Sequence, residues 1–417
     1  MRTLCIAAAL LACALPVAAD DASNHAELVA EVLRDTPLID GHNDAPWAIR
    51  SRFENQLDGF DFHDTSTGDR PMHTDIDRLR AGGVGAQFWS VWVPVDLEPG
   101  DAVLTTFEQI DLVQRLAARY PDDLELAFTA ADIRRIHAEG RIASLIGVEG
   151  GHSIANSLAV LRQLHGVGAR YMTLTHWNNV DWADAATATP EHDGLSPFGE
   201  TVIAEMNRLG MMVDLSHVSV ETMRDVLRVS RAPVIFSHSS AFALNPHPRN
   251  VPDAILHEVA ERGGVVMVNF GSYFLAASHT ERWANRKAEK ARLDTLYPGD
   301  PDAVKTGMTA WDEGHPVPVI PLSLLADHVD HIRRVAGIDH VGLGSDYDGI
   351  NALPEGMGDV SGYPALLEEL AARGWSKDEL SKLAGENLLR VMTEVEQVAA
   401  ELQETEEPVE AWFKAAE

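Results

Sequence analysis

Seven residues of this chain carry side chains able to hold a divalent cation or move a proton, and each follows or closes a short apolar run. His42 and Asp44 stand one residue apart in "DGHND", where the run "PLID" ends. Side chains two apart on a strand share a face. An imidazole and a carboxylate converging from one face are typical donors to a divalent metal. Glu149 closes "IASLIGVE", His176 closes "RYMTLTH", His217 closes "MMVDLSH", His238 lies in "PVIFSHS", and Asp346 closes "HVGLGSD". One histidine at such a place is usually a hydrogen-bonded core or surface residue. Four histidines and three carboxylates at equivalent places weaken that explanation. A cluster of acids alone would repel itself, whereas a pair of divalent cations neutralises it. Imidazole nitrogen and carboxylate oxygen, with no thiolate, suit zinc.

Elements of one kind must deliver these donors. Eight apolar runs, at 37–40, 85–93, 142–149, 170–176, 211–217, 233–239, 264–270 and 340–346, show little alternation. That is the pattern of parallel strands buried on both faces. Amphipathic stretches separate them; one, "TTFEQIDLVQRLAARY", spaces Phe107, Ile110, Val113 and Leu116 as a helix does. Several end in glycine, the usual helix stop. The fold class predicted is α/β, a (β/α)8 TIM barrel over residues 20–395, with its site at the C-terminal strand ends. Residues 276–320 read as an inserted helix-loop segment. Residues 396–417 form an acidic tail, read as a solvated helix or frayed end.

Other histidines serve as controls. His328 and His331, flanked by Asp327 and Asp330, read as the solvated face of an outer amphipathic helix rather than a metal cluster. His152, in "EGGH", is near Glu149 but is not taken as a ligand. His63, His73, His247 and His315 lie in loops and are not singled out. Trp177, Asn178 and Trp182, in "THWNNVDWAD", either wall a pocket or pack in the core.

Residues 1–19, "MRTLCIAAALLACALPVAA", join a basic start, an apolar stretch too short to span a bilayer, and small residues before Asp20. This reads as a secretory signal peptide, so the mature domain is expected to be exported, periplasmic or secreted. A second reading takes Leu10-Leu11-Ala12-Cys13 as a lipobox with Cys13 lipidated; the leader would then be unusually short. Both cysteines of the chain, Cys5 and Cys13, lie in this leader. The exported domain is thus expected to hold together without disulfides. The net charge of −31 becomes −32 without Arg2, which argues against nucleic acid and anionic membrane surfaces as partners. No later run is predicted to cross a membrane.

The motifs "DGHND", "GVEGGH", "YMTLTHWNN", "DLSHVS", "FSHSSA", "RNVPD" and "GLGSDYDG" resemble, in order, those of the membrane (renal) dipeptidase family of zinc peptidases. The likeness runs from about Leu38 to Leu389. It implies a barrel of the metal-dependent amidohydrolase type with two Zn2+ per chain. It makes His42 and Asp44 ligands of one zinc, His217 and His238 ligands of the other, and Glu149 the bridge. It places His176 on the substrate carbonyl, makes Arg249 a holder of substrate, and makes Asp346 the catalytic acid/base. Tyr273 is a further candidate pocket residue. Family members are often dimers, so a homodimer follows by analogy. The animal members carry disulfides and a C-terminal lipid anchor, which this chain is not expected to share, and residues 276–320 match poorly.

The expected reaction is hydrolysis of a dipeptide. Paired zinc ions would lower the pKa of a shared water. Asp346 would pass its proton to the leaving amine, His176 would stabilise the oxyanion, and Arg249 would pair with the substrate's C-terminal carboxylate. The alternative keeps the metal pair but changes the bond to that of an N-acyl amino acid, a lactone or a β-lactam, since fold does not fix function. A binding protein without turnover is the reading from another class; it would lack a ligand or the acid/base, and none is missing.

Overall fold

The structure, a computed structural model, describes residues 17–414 apart from Asp69. The leader reading falls mostly outside these residues; only Val17–Ala19 are included, at the start of the helix Val17–Asp35. Nine parallel strands form one sheet: β1 (Leu38–Asn43), β2 (Val84–Trp92), β3 (Leu124–Leu126), β4 (Ile142–Glu149), β5 (Ala169–Thr173), β6 (Met212–Asp214), β7 (Ile235–Phe236), β8 (Val265–Val268) and β9 (Val341–Leu343). Eight of them close the barrel. β1 pairs with both β2 and β9, and β2 pairs with β4 from Ala86↔Ala143 to Trp92↔Glu149. The ninth, β3, is the strand that apolar runs did not reveal. It is only "LEL" and shares one edge of β4 with β5, pairing at residues 142–144 while β5 takes 146–149.

β5 to β9 are shorter than their apolar runs. β5, β6, β7 and β9 stop two or three residues before His176, His217, His238 and Asp346. The chain leaves the ladder there to turn these side chains inward. His217 and Asp346 do so in the left-handed region, with φ of 73° and 69°. Such values are uncommon outside glycine and mark functional turns.

The helical readings between the strands hold. Pro99–Arg119, Leu158–Gly166, Pro197–Leu209, Val220–Val229, Asp253–Glu261 and Leu322–Ala336 are all helices. Ser157, Ser196 and Ser219 start three of them by accepting a backbone N–H, as good N-caps do.

Three expectations change. His328 and His331 are buried, not solvated. His328 accepts the Ala241 N–H on Nδ1 at 3.1 Å and bonds the Leu275 carbonyl through Nε2 at 3.0 Å, while His331 pairs with Asp253 at 2.7 Å. The outer helix packs under neighbouring loops as well as on the barrel, so its polar side chains clamp loop backbone. The segment 276–320 is two helices, Ala277–Leu296 and Pro301–Gly314, rather than a helix and a loop. Asp312 ties them by pairing with Arg282 and Arg286. The boundary at 396 falls inside the helix Asn387–Thr405, whose Val391, Val395, Ala399 and Leu402 are buried. Their three- and four-residue spacing makes one apolar stripe. The chain beyond stays attached: Val409 donates to Glu205, and Phe413 meets the Phe198 ring edge-on.

Candidate active site

The predicted donors converge at the C-terminal mouth of the barrel. Glu149, at the end of β4, stands at the centre and is buried. Its Oε1 lies 3.0 Å from His217 Nε2, 3.5 Å from His238 Nε2 and 3.7 Å from His176 Nε2. Its Oε2 faces the other way, 3.4 Å from His42 Nε2, which is 3.5 Å from Asp44 Oδ2. Three donor sets fall within 4.8 Å: His42, Glu149 and His238; Glu149, His176 and His217; His42, Asp44 and Asp346. All seven residues singled out by spacing therefore meet in one basin.

The hydrogen bonds around this basin fix which nitrogen faces it. Trp92 Nε1, which can only donate, gives its proton to His176 Nδ1 at 3.2 Å. His176 then carries its own proton on Nε2, aimed into the site. Burial pushes its pKa down to about 4, so at neutral pH it is a neutral donor. Tyr171 donates to the Gly41 carbonyl at 3.1 Å and lies 3.0 Å from His42 Nδ1. It can therefore accept from that nitrogen, leaving the His42 Nε2 lone pair in the basin with no hydrogen-bond partner. Gly147 makes this contact feasible, because a side chain there would collide with the Tyr171 ring. Ser237 repeats the arrangement. It donates to Asp214 at 2.6 Å and sits 2.7 Å from His238 Nδ1, so His238 Nε2 also faces inward unprotonated.

These residues fit a cation. Lone pairs on His42 and His238 and both oxygens of Glu149 converge in one basin, where Ser90 donates to Glu149 Oε2 at 3.1 Å and His217 Nε2 lies 3.0 Å from His238 Nε2. Although burial opposes the imidazolium, Tyr171, Glu149 and Asp44 hold the His42 pKa well above its ordinary value. The converging donors are able to hold a metal ion, which would take the place of that proton. If Ser237 orients His238, Ser237→Ala should weaken metal binding about tenfold. Competition with a chromophoric chelator measures this; unchanged affinity would reduce Ser237 to a packing role.

Asp346 sits beside Asp44. Burial first, and Asp44 next, push its carboxyl well above the usual range. Asn269 donates to its Oδ2 at 2.9 Å. Gly349 lets the two acids approach, since a side chain at that position would meet both carboxylates.

The basin opens into a cavity of about 1160 Å³. Arg249 lines it although only 2% exposed. Its guanidinium lies 5.4 Å from the centre of the Phe274 ring and touches Ser239 Oγ and the His238 carbonyl at 3.4 Å each, while Nε has no partner. Burial lowers its pKa to about 10, and among the described residues it makes no ion pair. Tyr273 is also at the wall, its hydroxyl accepting the Asn351 N–H at 3.0 Å and keeping its own proton to donate.

The controls separate clearly. His152 bonds the Val93 carbonyl and joins no donor set. His247 lines the cavity and accepts the Arg249 N–H, whereas His63, His73 and His315 are engaged elsewhere, with Asp77, Asp348 and Trp311. Trp177 and Asn178 are wall; Trp182 is fully buried packing. Sequence reading missed Trp47 and Trp92 in the wall, and Tyr171, Asp214, Ser237 and Asn269 behind the donors. Only Ser237 had a local signal, as the neighbour of His238.

Comparison with known proteins agrees with this geometry. The family model for membrane dipeptidase, peptidase family M19, matches residues 26–406. A probable dipeptidase, PvdM, from Pseudomonas aeruginosa has the same fold, with a TM-score of 0.77 at 24% identity over 90% of this chain and 100% of that one. Dipeptidase AC, a metallo peptidase of family M19, aligns at 0.70 and 26% over 87% and 99%. A metallo peptidase from Rhodobacter sphaeroides, solved with a phosphinate mimic of the dipeptide L-Ala-D-Ala, aligns at 0.71 and 25% over 87% and 100%. With a match that spans every strand of the barrel and every donor in its mouth, the chain belongs to the membrane dipeptidase family, peptidase family M19, and is a metal-dependent peptide-bond hydrolase.

Proposed function

We propose that this enzyme is a zinc dipeptidase that holds two ions per chain and cleaves dipeptides with a free C-terminal carboxylate. The observation that carries this reading is the placement of Glu149, whose two oxygens face different donors. His42 and Asp44 would hold one ion, and His217 and His238 the other, with Glu149 shared. The nitrogen and oxygen donors, without sulfur, suit zinc. When bound, the ions supply a water acidic near neutral pH and polarise the scissile carbonyl.

The chain's own groups supply the rest. Asp346 takes the proton of the attacking water and hands it to the amine, which must be protonated to leave. His176, held as a neutral Nε2–H donor by Trp92, hydrogen-bonds the oxyanion. Arg249 pairs its guanidinium, whose Nε has no partner, with the substrate carboxylate, and Tyr273 donates beside it. Dipeptidase AC, at 26% identity, and the R. sphaeroides peptidase with its bound dipeptide mimic, at 25%, support this substrate class. The leader reading places the reaction in an exported compartment.

Purified enzyme should hold close to two zinc ions per chain by elemental analysis. It should lose dipeptidase activity to a chelator and regain it with added zinc. One ion per fully active chain, or activity that survives complete stripping, would overturn the binuclear reading.

A further inference from the structure

The cavity is at the upper end of the ~300–1,000 Å³ typical of drug-sized ligands, so room remains beyond the reacting bond. The helix Ala277–Leu296 supplies one wall of that room. Thr280, Trp283, Ala284 and Lys287 all line the cavity. Their spacing of three, one and three residues is a single helical face. The helix is rooted beside the proposed carboxylate anchor. Thr280 donates to the Tyr273 carbonyl at 2.8 Å, and Phe274, the next residue, lies under the Arg249 guanidinium.

Lys287 differs from the other cations of this helix. Arg282, Arg286, Lys290 and Arg292 are paired with carboxylates, whereas Lys287 has no such partner among the described residues. Its ammonium instead lies 4.4 Å from the centre of the Trp283 ring. Trp283 is 48% exposed and lines the cavity. Helical side chains lean toward the N-terminus, so this pairing carries the charge back about one turn, toward Thr280 and the anchor. The acids lining the cavity, Asp44, Glu149, Asp346 and Asp348, belong to the metal end. The lining residues Ala186–Thr189 carry no charge. In a chain of net charge −31, an unpaired cation at such a wall is a selective feature.

We infer that this helix face forms the subsite for the side chain of the substrate's C-terminal residue, and that Lys287, set over Trp283, selects an acidic side chain there. Dipeptides ending in glutamate- or aspartate-like residues are then preferred over their amide counterparts. The inference rests on the dipeptidase reading above and adds a substrate class to it.

The test compares kcat/KM for alanyl-glutamate with alanyl-glutamine, and alanyl-aspartate with alanyl-asparagine. Each C-terminal residue is supplied in L and D form to zinc-loaded enzyme at low salt. The acidic member of at least one pair should be favoured roughly fivefold, the scale of one solvent-facing ion pair. The preference should reside in KM and shrink as salt screens the charge. Lys287→Ala should bring the ratio to about one, Lys287→Glu should invert it, and Lys287→Arg should keep it. A ratio near one in the wild-type enzyme, or a preference that survives Lys287→Ala, overturns the subsite. Hydrolysis of none of these dipeptides, nor of alanyl-alanine, would overturn the dipeptidase reading itself and the subsite with it.

Discussion

Replacing Asp346 with asparagine should lower kcat about a thousandfold, within the 10²–10⁴ range for losing a positioned general acid/base. The side chain keeps its shape, and its remaining carbonyl oxygen can still accept the Asn269 amide. Asparagine also tolerates the left-handed backbone at this position, where φ is 69°, better than most residues. The fold should therefore survive. What disappears is basicity, since an amide oxygen takes no proton from water at neutral pH. The loss should appear in single-turnover rates with KM nearly constant. Metal content must be measured alongside, because Asp346 lies within one donor set with His42 and Asp44. A variant that turns over normally removes Asp346 from the chemistry. One that loses an ion makes it a ligand instead.

The prominence of Asp346 in the sequence shows what made the site legible. Parallel strands buried on both faces read as apolar runs, and although one histidine where such a run stops is usually structural, seven donors at equivalent places point to one site. Convergence followed from closure: once eight strands form a barrel, their C-terminal ends share one mouth. The orientation of His42 and His176 was not legible. It is set by partners far along the chain, Tyr171 for His42 and Trp92 for His176, 129 and 84 residues away. Helical periodicity likewise sets His328 on the flank of the apolar stripe, three residues after Leu325, but does not report that loops at Ala241 and Leu275 cover it. β3 escaped because three residues on a shared edge make no run. The two helices of 276–320 carry few buried residues, so their pattern gave little indication of how they pack.

Arg249→Met should separate function from stability. For a dipeptide, kcat/KM should fall about a hundredfold, the loss of roughly 3 kcal/mol from a charge-assisted pair in a buried setting. Discrimination between a dipeptide and its C-terminal amide should largely vanish, because the variant no longer reads the carboxylate. An enzyme built for simple lactones, with no carboxylate beside the reacting bond, would show neither effect. The same substitution should make the protein more resistant to unfolding, by about 2 kcal/mol. The guanidinium is buried, its Nε is unpartnered and its two nearest acceptors are at 3.4 Å, so its lost hydration is poorly replaced. Its lowered pKa, about 10, carries the same sign: the folded state disfavours the charge that the unfolded chain holds freely at neutral pH. Methionine keeps much of the packing against Phe274 and removes that cost. A purely structural arginine would behave oppositely, losing stability and leaving KM alone. Urea titration of the metal-free protein beside steady-state kinetics decides between them. Lower activity with higher stability is the outcome expected of a charge retained for its ligand.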